Sequence, residues 1–169
     1  MAVMVNSFEL IRTLAFYIKH VLHSINIDKD SKIYSSTGNK YDMMIIRLKE
    51  GEVNNYLEID ENIFKDESIY NYKNESIYIL HHPNAEEAKV SFGSGIKQVN
   101  DYDIKHLCHT EPGSSGGPIL CNFTNKVIGI HKGSIAKYGK CVYNIGTFLK
   151  FPLDDLKYKV SKNNNYYLI

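Results

Sequence analysis

The chain has 169 residues, enough for one full domain or two small fused halves around a sizeable core. Its 20 Lys and Arg residues against 19 Asp and Glu leave a formal net charge of +1, so no electrostatic footprint points to nucleic acid or to an anionic membrane surface. Three cysteines, Cys108, Cys121 and Cys141, are an odd number without metal-like spacing, which argues against a disulfide scaffold and for a reducing compartment.

Between Met1 and Ile25 an apolar stretch is interrupted by Glu9, Arg12, Lys19 and His20 before it reaches membrane-spanning length. It has no basic segment followed by an uninterrupted apolar run and a cleavage site. A cytoplasmic location with no membrane partner is the expectation. Phe8 to Leu22 fits two patterns: Leu10, Leu14, Tyr17, Ile18 and Val21 suit a helix face, and Phe16-Tyr17-Ile18 suits a strand. His20 and His23 fall in and just after this region.

Ser31 to Ser35 reads as a short strand, Ser36-Thr37-Gly38-Asn39 as a turn, and Met43 to Leu48 as an apolar strand headed by Asp42. Polar connections at Lys49 to Gly51 and Asp60 to Glu67 flank the short Tyr56 to Ile59. The second connection suggests two halves, residues 1–65 and 66–169. Beyond it, strands are predicted at Ser76 to Leu80, Ala88 to Phe92, Gly95 to Val99, Ile104 to His109, Pro118 to Cys121, Val127 to His131 and Cys141 to Ile145. Short strands at this spacing suggest an all-β antiparallel barrel or sandwich. From Pro152 onward, Leu153, Leu156 and Val160 share a face, with Asp154 and Asp155 in the first turn, which predicts one terminal helix.

The densest chemical signal is Thr110-Glu111-Pro112-Gly113-Ser114-Ser115-Gly116-Gly117-Pro118. Glycines on both sides of Ser115 permit a sharp turn that exposes a hydroxyl, and the amides of Gly113 and Ser115 could face an oxygen that becomes negative. Gly-x-Ser-Gly-Gly-Pro arises by chance at a frequency on the order of 10⁻⁶ per position. Such a nucleophile requires a base, which raises interest in His20. A carboxylate such as Asp42 could hold that histidine's tautomer and stabilise its imidazolium.

On the Gly-x-Ser-Gly-Gly-Pro loop, the Asp42-Met43-Met44-Ile45-Ile46 stretch and the order His, Asp, Ser, the chain resembles chymotrypsin-like, trypsin-fold serine peptidases from about Tyr41 onward. The branches closest in motif are the glutamyl endopeptidases and the 3C-like peptidases. The resemblance implies two antiparallel β-barrels and a terminal helix, with Ser115 as nucleophile, His20 as base, Asp42 as its orienting acid, and Gly113 and Ser115 amides as the oxyanion hole. His23 is the alternative base. Gly129-Ile130-His131-Lys132-Gly133 matches the strand whose histidine lines the S1 pocket in those branches, and Thr110 stands five residues before the nucleophile. Thr110, His131 and Gly133 are therefore expected to line S1 and to favour cleavage after Glu or Gln. Ser114 replaces an aspartate that, in many secreted relatives, pairs with a freed N-terminus, so that activation route is not expected.

The first half departs from the family. Only 19 residues precede His20, and no Gly-x-Gly-Phe strand is present. The resemblance thus implies an abbreviated or truncated first barrel, or another domain or chain that completes it. Partners are expected to be protein or peptide substrates, and no cofactor or metal is expected. A catalytically inactive peptide-binding module is the competing reading. A zinc site using His106, Cys108 and the His81-His82 pair is a third.

Overall fold

The computed structural model describes residues 13–18, 21–26, 32–36, 40–46, 56–65, 72–73, 75–94, 97–98 and 102–162. The chain divides into two compact units, Val3–Tyr56 and Leu57–Ile169.

In the first unit, β1 (Thr13–Ile18) and β2 (Val21–Asn26) pair antiparallel, with Ile18 opposite Val21. Of the two patterns that Phe8 to Leu22 could fit, the strand pattern prevails over Thr13–Ile18, and residues 8–12, 19 and 20 lie outside the described residues. The run Thr-Leu-Ala-Phe-Tyr-Ile is rich in the β-branched and aromatic types that suit a pleated surface. A second hairpin joins β3 (Lys32–Ser36) to β4 (Met43–Ile46), with Ser36 opposite Met43. Tyr34, Tyr41 and Met43 are buried there.

The second unit carries β5 (Ser76–His81), β6 (Lys89–Ser94), β7 (Lys97–Gln98), β8 (Asp103–His106), β9 (Pro118–Cys121), β10 (Val127–Lys137), β11 (Lys140–Phe148) and the helix α1 (Lys150–Lys162). Strand order is β6-β5-β9-β10-β11-β8-β7, in one antiparallel sheet. The sequence predicts two barrels. Among the described residues the sheets are not closed, because β6 and β7 end the strand order without pairing to each other. The large sheet nonetheless rolls. A Cβ on Gly93 of β6 would lie 2.6 Å from the Cys108 backbone nitrogen just beyond β8, so the edge strand abuts the far side with only a hydrogen atom to spare.

Ile77, Ile79, Ile104, Ile119, Ile128 and Phe148 fill the interior with no exposed surface. Each such side chain contributes about 1.5–3 kcal/mol of burial free energy. β10 and β11 extend well past the predicted ends at His131 and Ile145. Register shifts after His131 and after Ile135 absorb the local mismatch and let the hairpin continue to Lys137 and Lys140. The helix begins two residues before Pro152, which sits in its first turn where a missing N–H costs nothing. Pro152 and Leu156 form its buried side, with Leu149 buried just before it and Leu153 half-buried.

One buried carboxylate ties the start of this unit to the sheet. Asp60 accepts hydrogen bonds from the Asn62 backbone N–H (3.0 Å) and from Thr124 Oγ1 (2.8 Å), capping the 3₁₀ turn Glu61–Phe64. Burial opposes its ionisation, yet hydrogen bonds from Asn62 and Thr124 outweigh that and hold the carboxyl below its usual range.

Candidate active site

The Thr110–Pro118 segment connects β8 to β9, and its conformation follows from its glycines. Gly113 (φ +90°) and Gly116 (φ +87°) occupy the left-handed region that other residues rarely adopt. A Cβ on Gly113 would also meet the His82 carbonyl oxygen at 2.9 Å, and one on Gly117 would meet the Leu80 carbonyl oxygen at 2.7 Å. The loop is therefore seated on the end of β5 and on the turn that follows it. Asn84 N–H donates to the Pro112 carbonyl at 2.6 Å, and Asn84 Nδ2 donates to Glu111 Oε2 at 2.8 Å.

Within the loop, Ser114 N–H donates to the Glu111 carbonyl (3.0 Å), Gly116 N–H to the His131 carbonyl (2.8 Å) and Gly117 N–H to the Ser114 carbonyl (3.1 Å). The amides of Gly113 and Ser115 donate to no acceptor among the described residues. Ser115 is exposed, and its Oγ donates to the Lys132 carbonyl at 3.2 Å. Its neighbour Ser114 is 1% exposed, so only the second of the two hydroxyls faces solvent. Gly117→Ala is expected to destabilise the fold by about 1–3 kcal/mol, because backbone rather than a movable side chain opposes the new methyl. A lowered melting temperature would report it, and an unchanged one would contradict this seating.

The residues predicted for S1 belong to one polar cluster under this loop. Thr110 Oγ1 donates to Asn144 Oδ1 (2.8 Å), and Asn144 Nδ2 donates to the Cys108 carbonyl (2.7 Å). Asn144 on β11 stands opposite His106 on β8. The His106 Nε2 atom in turn lies 3.1 Å from His131 Nδ1, with the rings edge to face at a 5.1 Å centroid separation. Both histidines are buried. Burial first, and the nearby His81 second, push His131 down to about 4, while a hydrogen bond to the Ile145 carbonyl works the other way. Burial and His131 push His106 down to about 3. The cluster is accordingly uncharged near neutral pH. Gly133 lies just beyond, where a Cβ would meet nothing within 4 Å.

Lys132, at the bulge of β10, reaches across to Asp103 on β8, Nζ to Oδ1 at 2.8 Å. This ion pair is largely buried and fixes the stretch whose backbone touches both Ser115 and the loop.

Ser115, Gly113, Thr110, His131 and Gly133 are thus gathered in the Leu57–Ile169 unit. The predicted base and acid belong to the other unit. Asp42 stands directly before β4 with φ +49°. His20 lies outside the described residues, and His23 is on β2 opposite Phe16. Among the described residues no group of three or more His, Cys, Asp or Glu could hold a metal ion, and His106 and Cys108 are separately committed, one to His131 and the other to the apolar interior. Nor is any helix among them long and apolar enough to cross a membrane.

Two contributors were not singled out from the sequence for this chemistry. His81 Nδ1 lies 2.8 Å from Ser114 Oγ, and Asn144 links Thr110 to the β8 segment. A cavity of about 400 Å³ opens elsewhere, at the far end of β9, beside Asp60, Tyr72 and Phe123. Its buried carboxylate is already occupied in capping the 3₁₀ turn.

No protein family model and no curated protein matches the chain. Solved structures do. A cysteine-to-alanine variant of tobacco etch virus protease superimposes with a TM-score of 0.55 at 17% identity, covering 92% of this chain and 64% of that one. The catalytically active tobacco etch virus protease with its product gives a TM-score of 0.55 at 19% identity, covering 87% and 61%. The HtrA-type protease AlgW with a decapeptide gives 0.53 at 16% identity, covering 77% and 40%. This chain spans less than two thirds of the length of these two viral protease structures, and at these identities the likeness establishes the chymotrypsin-like, mostly β fold.

Proposed function

We propose that the protein is a serine endopeptidase in which Ser115 attacks the scissile carbonyl and forms an acyl-enzyme. The observation that carries this reading is the loop itself: an exposed Ser115 hydroxyl, together with the amides of Gly113 and Ser115, which have no acceptor of their own among the described residues. Such amides stabilise an oxyanion at no reorganisation cost. His20 is the proposed base, with His23 as the alternative, and Asp42 is proposed to orient it.

For specificity, Thr110, His131 and Gly133 are proposed to receive the P1 side chain. A neutral imidazole can hydrogen-bond an amide but cannot neutralise a carboxylate, and the adjacent Lys132 is committed to Asp103. That favours Gln over Glu at P1.

Labelling of the purified chain by a fluorophosphonate tests the first claim, and a peptide panel varied at P1 tests the second. Absence of labelling in a folded chain would sink the peptidase reading and favour a peptide-binding role. Faster cleavage after Glu than after Gln would overturn the specificity. Gly133→Val supplies a further check. Open space around Gly133 means the fold should tolerate the side chain, whereas a substrate lying beside residues 130–133 should not. KM is expected to rise about tenfold with an unchanged melting temperature, since ground-state and transition-state binding are lost together.

A further inference from the structure

His81 is a buried histidine that the proposed reaction does not use. It ends β5, is 5% exposed, and holds its Nδ1 2.8 Å from Ser114 Oγ. Ser114 Oγ also accepts the Glu111 backbone N–H at 3.1 Å. With one lone pair taken by that N–H, the hydroxyl proton is free to go to a bare Nδ1, leaving the histidine proton on Nε2. One oxygen therefore ties together the two ends of the Glu111–Ser114 turn and fastens both to β5.

We infer that His81 is a positioning residue for Ser115, acting through Ser114 to hold the loop in the one shape that leaves the Gly113 and Ser115 amides unengaged. The inference rests on the peptidase reading for its catalytic consequence, though the loop geometry stands without it. Three observations converge. Gly117 packs its Cα against the Leu80 carbonyl and the His81 Cβ, so there is no room for the loop to settle closer to β5. The turn after His81 grips the other side through Asn84. Between these contacts lies Ser114, whose N–H and hydroxyl are both consumed internally, which orients the peptide planes on either side of it. If the His81 to Ser114 bond is lost, Ser114 becomes a buried hydroxyl with an unmatched proton, and the turn can relax by rotating those planes. Burial holds His81 below the ordinary imidazole range, consistent with a neutral acceptor here.

The test uses the full chain with His81→Ala, Ser114→Ala, the double variant and His81→Asn. Fluorophosphonate labelling rates are read beside thermal unfolding and amide hydrogen exchange at Ser114, Gly116 and Gly117. Each alanine variant is expected to label about tenfold or more slowly, a loss of the size seen when oxyanion donors are misplaced. The double variant should fall no further, because both substitutions break the same bond. His81→Asn, which keeps a hydrogen-bonding atom near the position of Nδ1, should recover the rate to within about threefold. Loop amides should exchange faster in the alanine variants and not in His81→Asn. Parental labelling rates, a multiplicative loss in the double variant, or unchanged loop exchange would each overturn the inference. If the parent itself does not label, the peptidase reading fails, and the exchange data still decide the positioning role. Should His81→Ala not fold, Ser114→Ala, which deletes a single oxygen, carries the comparison.

Discussion

Ser115→Ala should abolish fluorophosphonate labelling and cut peptide hydrolysis by about 10⁴–10⁶-fold, the loss expected when the nucleophile of a triad that acts as a unit is removed. The fold should scarcely register the change. Ser115 Oγ is exposed and makes one long hydrogen bond, 3.2 Å to the Lys132 carbonyl, so its removal should move stability by less than about 0.5 kcal/mol. That contrast gives the prediction its force. Residual labelling in Ser115→Ala would place the reactive group elsewhere. A large loss of stability would mean that the hydroxyl is a structural part of the loop and not a presented nucleophile.

Acidification should cost the protein several kcal/mol of stability between about pH 6.5 and pH 4, a window set by the buried His106 and His131. Burial holds them at about 3 and about 4, below the usual imidazole value. Within that window the unfolded chain binds protons that the folded chain refuses. Stability therefore rises with pH across it and is lost as pH falls, at up to about 1.4 kcal/mol per pH unit for each histidine. His81, also held low by burial, adds to the loss in the same direction. Melting temperatures measured from pH 7 to pH 4.5 should fall steeply in the parent and less steeply in His106→Leu. Equal slopes in both proteins would show that these rings do not govern acid lability. Above the window, between about pH 6.5 and 8, the same neutrality predicts a P1 preference that does not change with pH.

What the sequence made legible was local. The sharp turns of the Thr110–Pro118 loop were readable because glycine at 113 and 116 is a backbone requirement written one residue at a time, and both positions have positive φ. Strand positions in the second unit were readable from spacing, although β8 stops at His106, short of the predicted His109, and the far ends of β10 and β11 were missed. Those ends hid because a bulge after His131 lets a strand pass through a stretch whose glycine looks like a terminator. The pairing of His106 with His131 left no local trace. It depends on β8 lying next to β11 and β11 next to β10, a consequence of sheet order that no spacing of 25 residues encodes. His81 was obscured differently: in His81-His82-Pro83-Asn84 it looks like part of a turn, and only the tertiary seating of the loop brings Ser114 to it. Alternation did carry a faint signal, since Ile104 and His106 share a face of β8 and both are fully buried.

The three thiols bear on how this protein would behave toward inhibitors. Cys108 and Cys121 are buried, and burial pushes the Cys108 thiol up to about 11, so neither is a ready target for alkylating agents. Cys141 is exposed, and its Sγ sits 3.8 Å from Asn144 Oδ1, the same oxygen that receives the Thr110 hydroxyl. An iodoacetamide adduct on Cys141 would crowd that oxygen and disturb the cluster proposed to read P1. Sensitivity to thiol reagents would then coexist with the proposed serine nucleophile. Assigning the mechanistic class of this protein from an inhibitor panel therefore calls for a Cys141→Ser control.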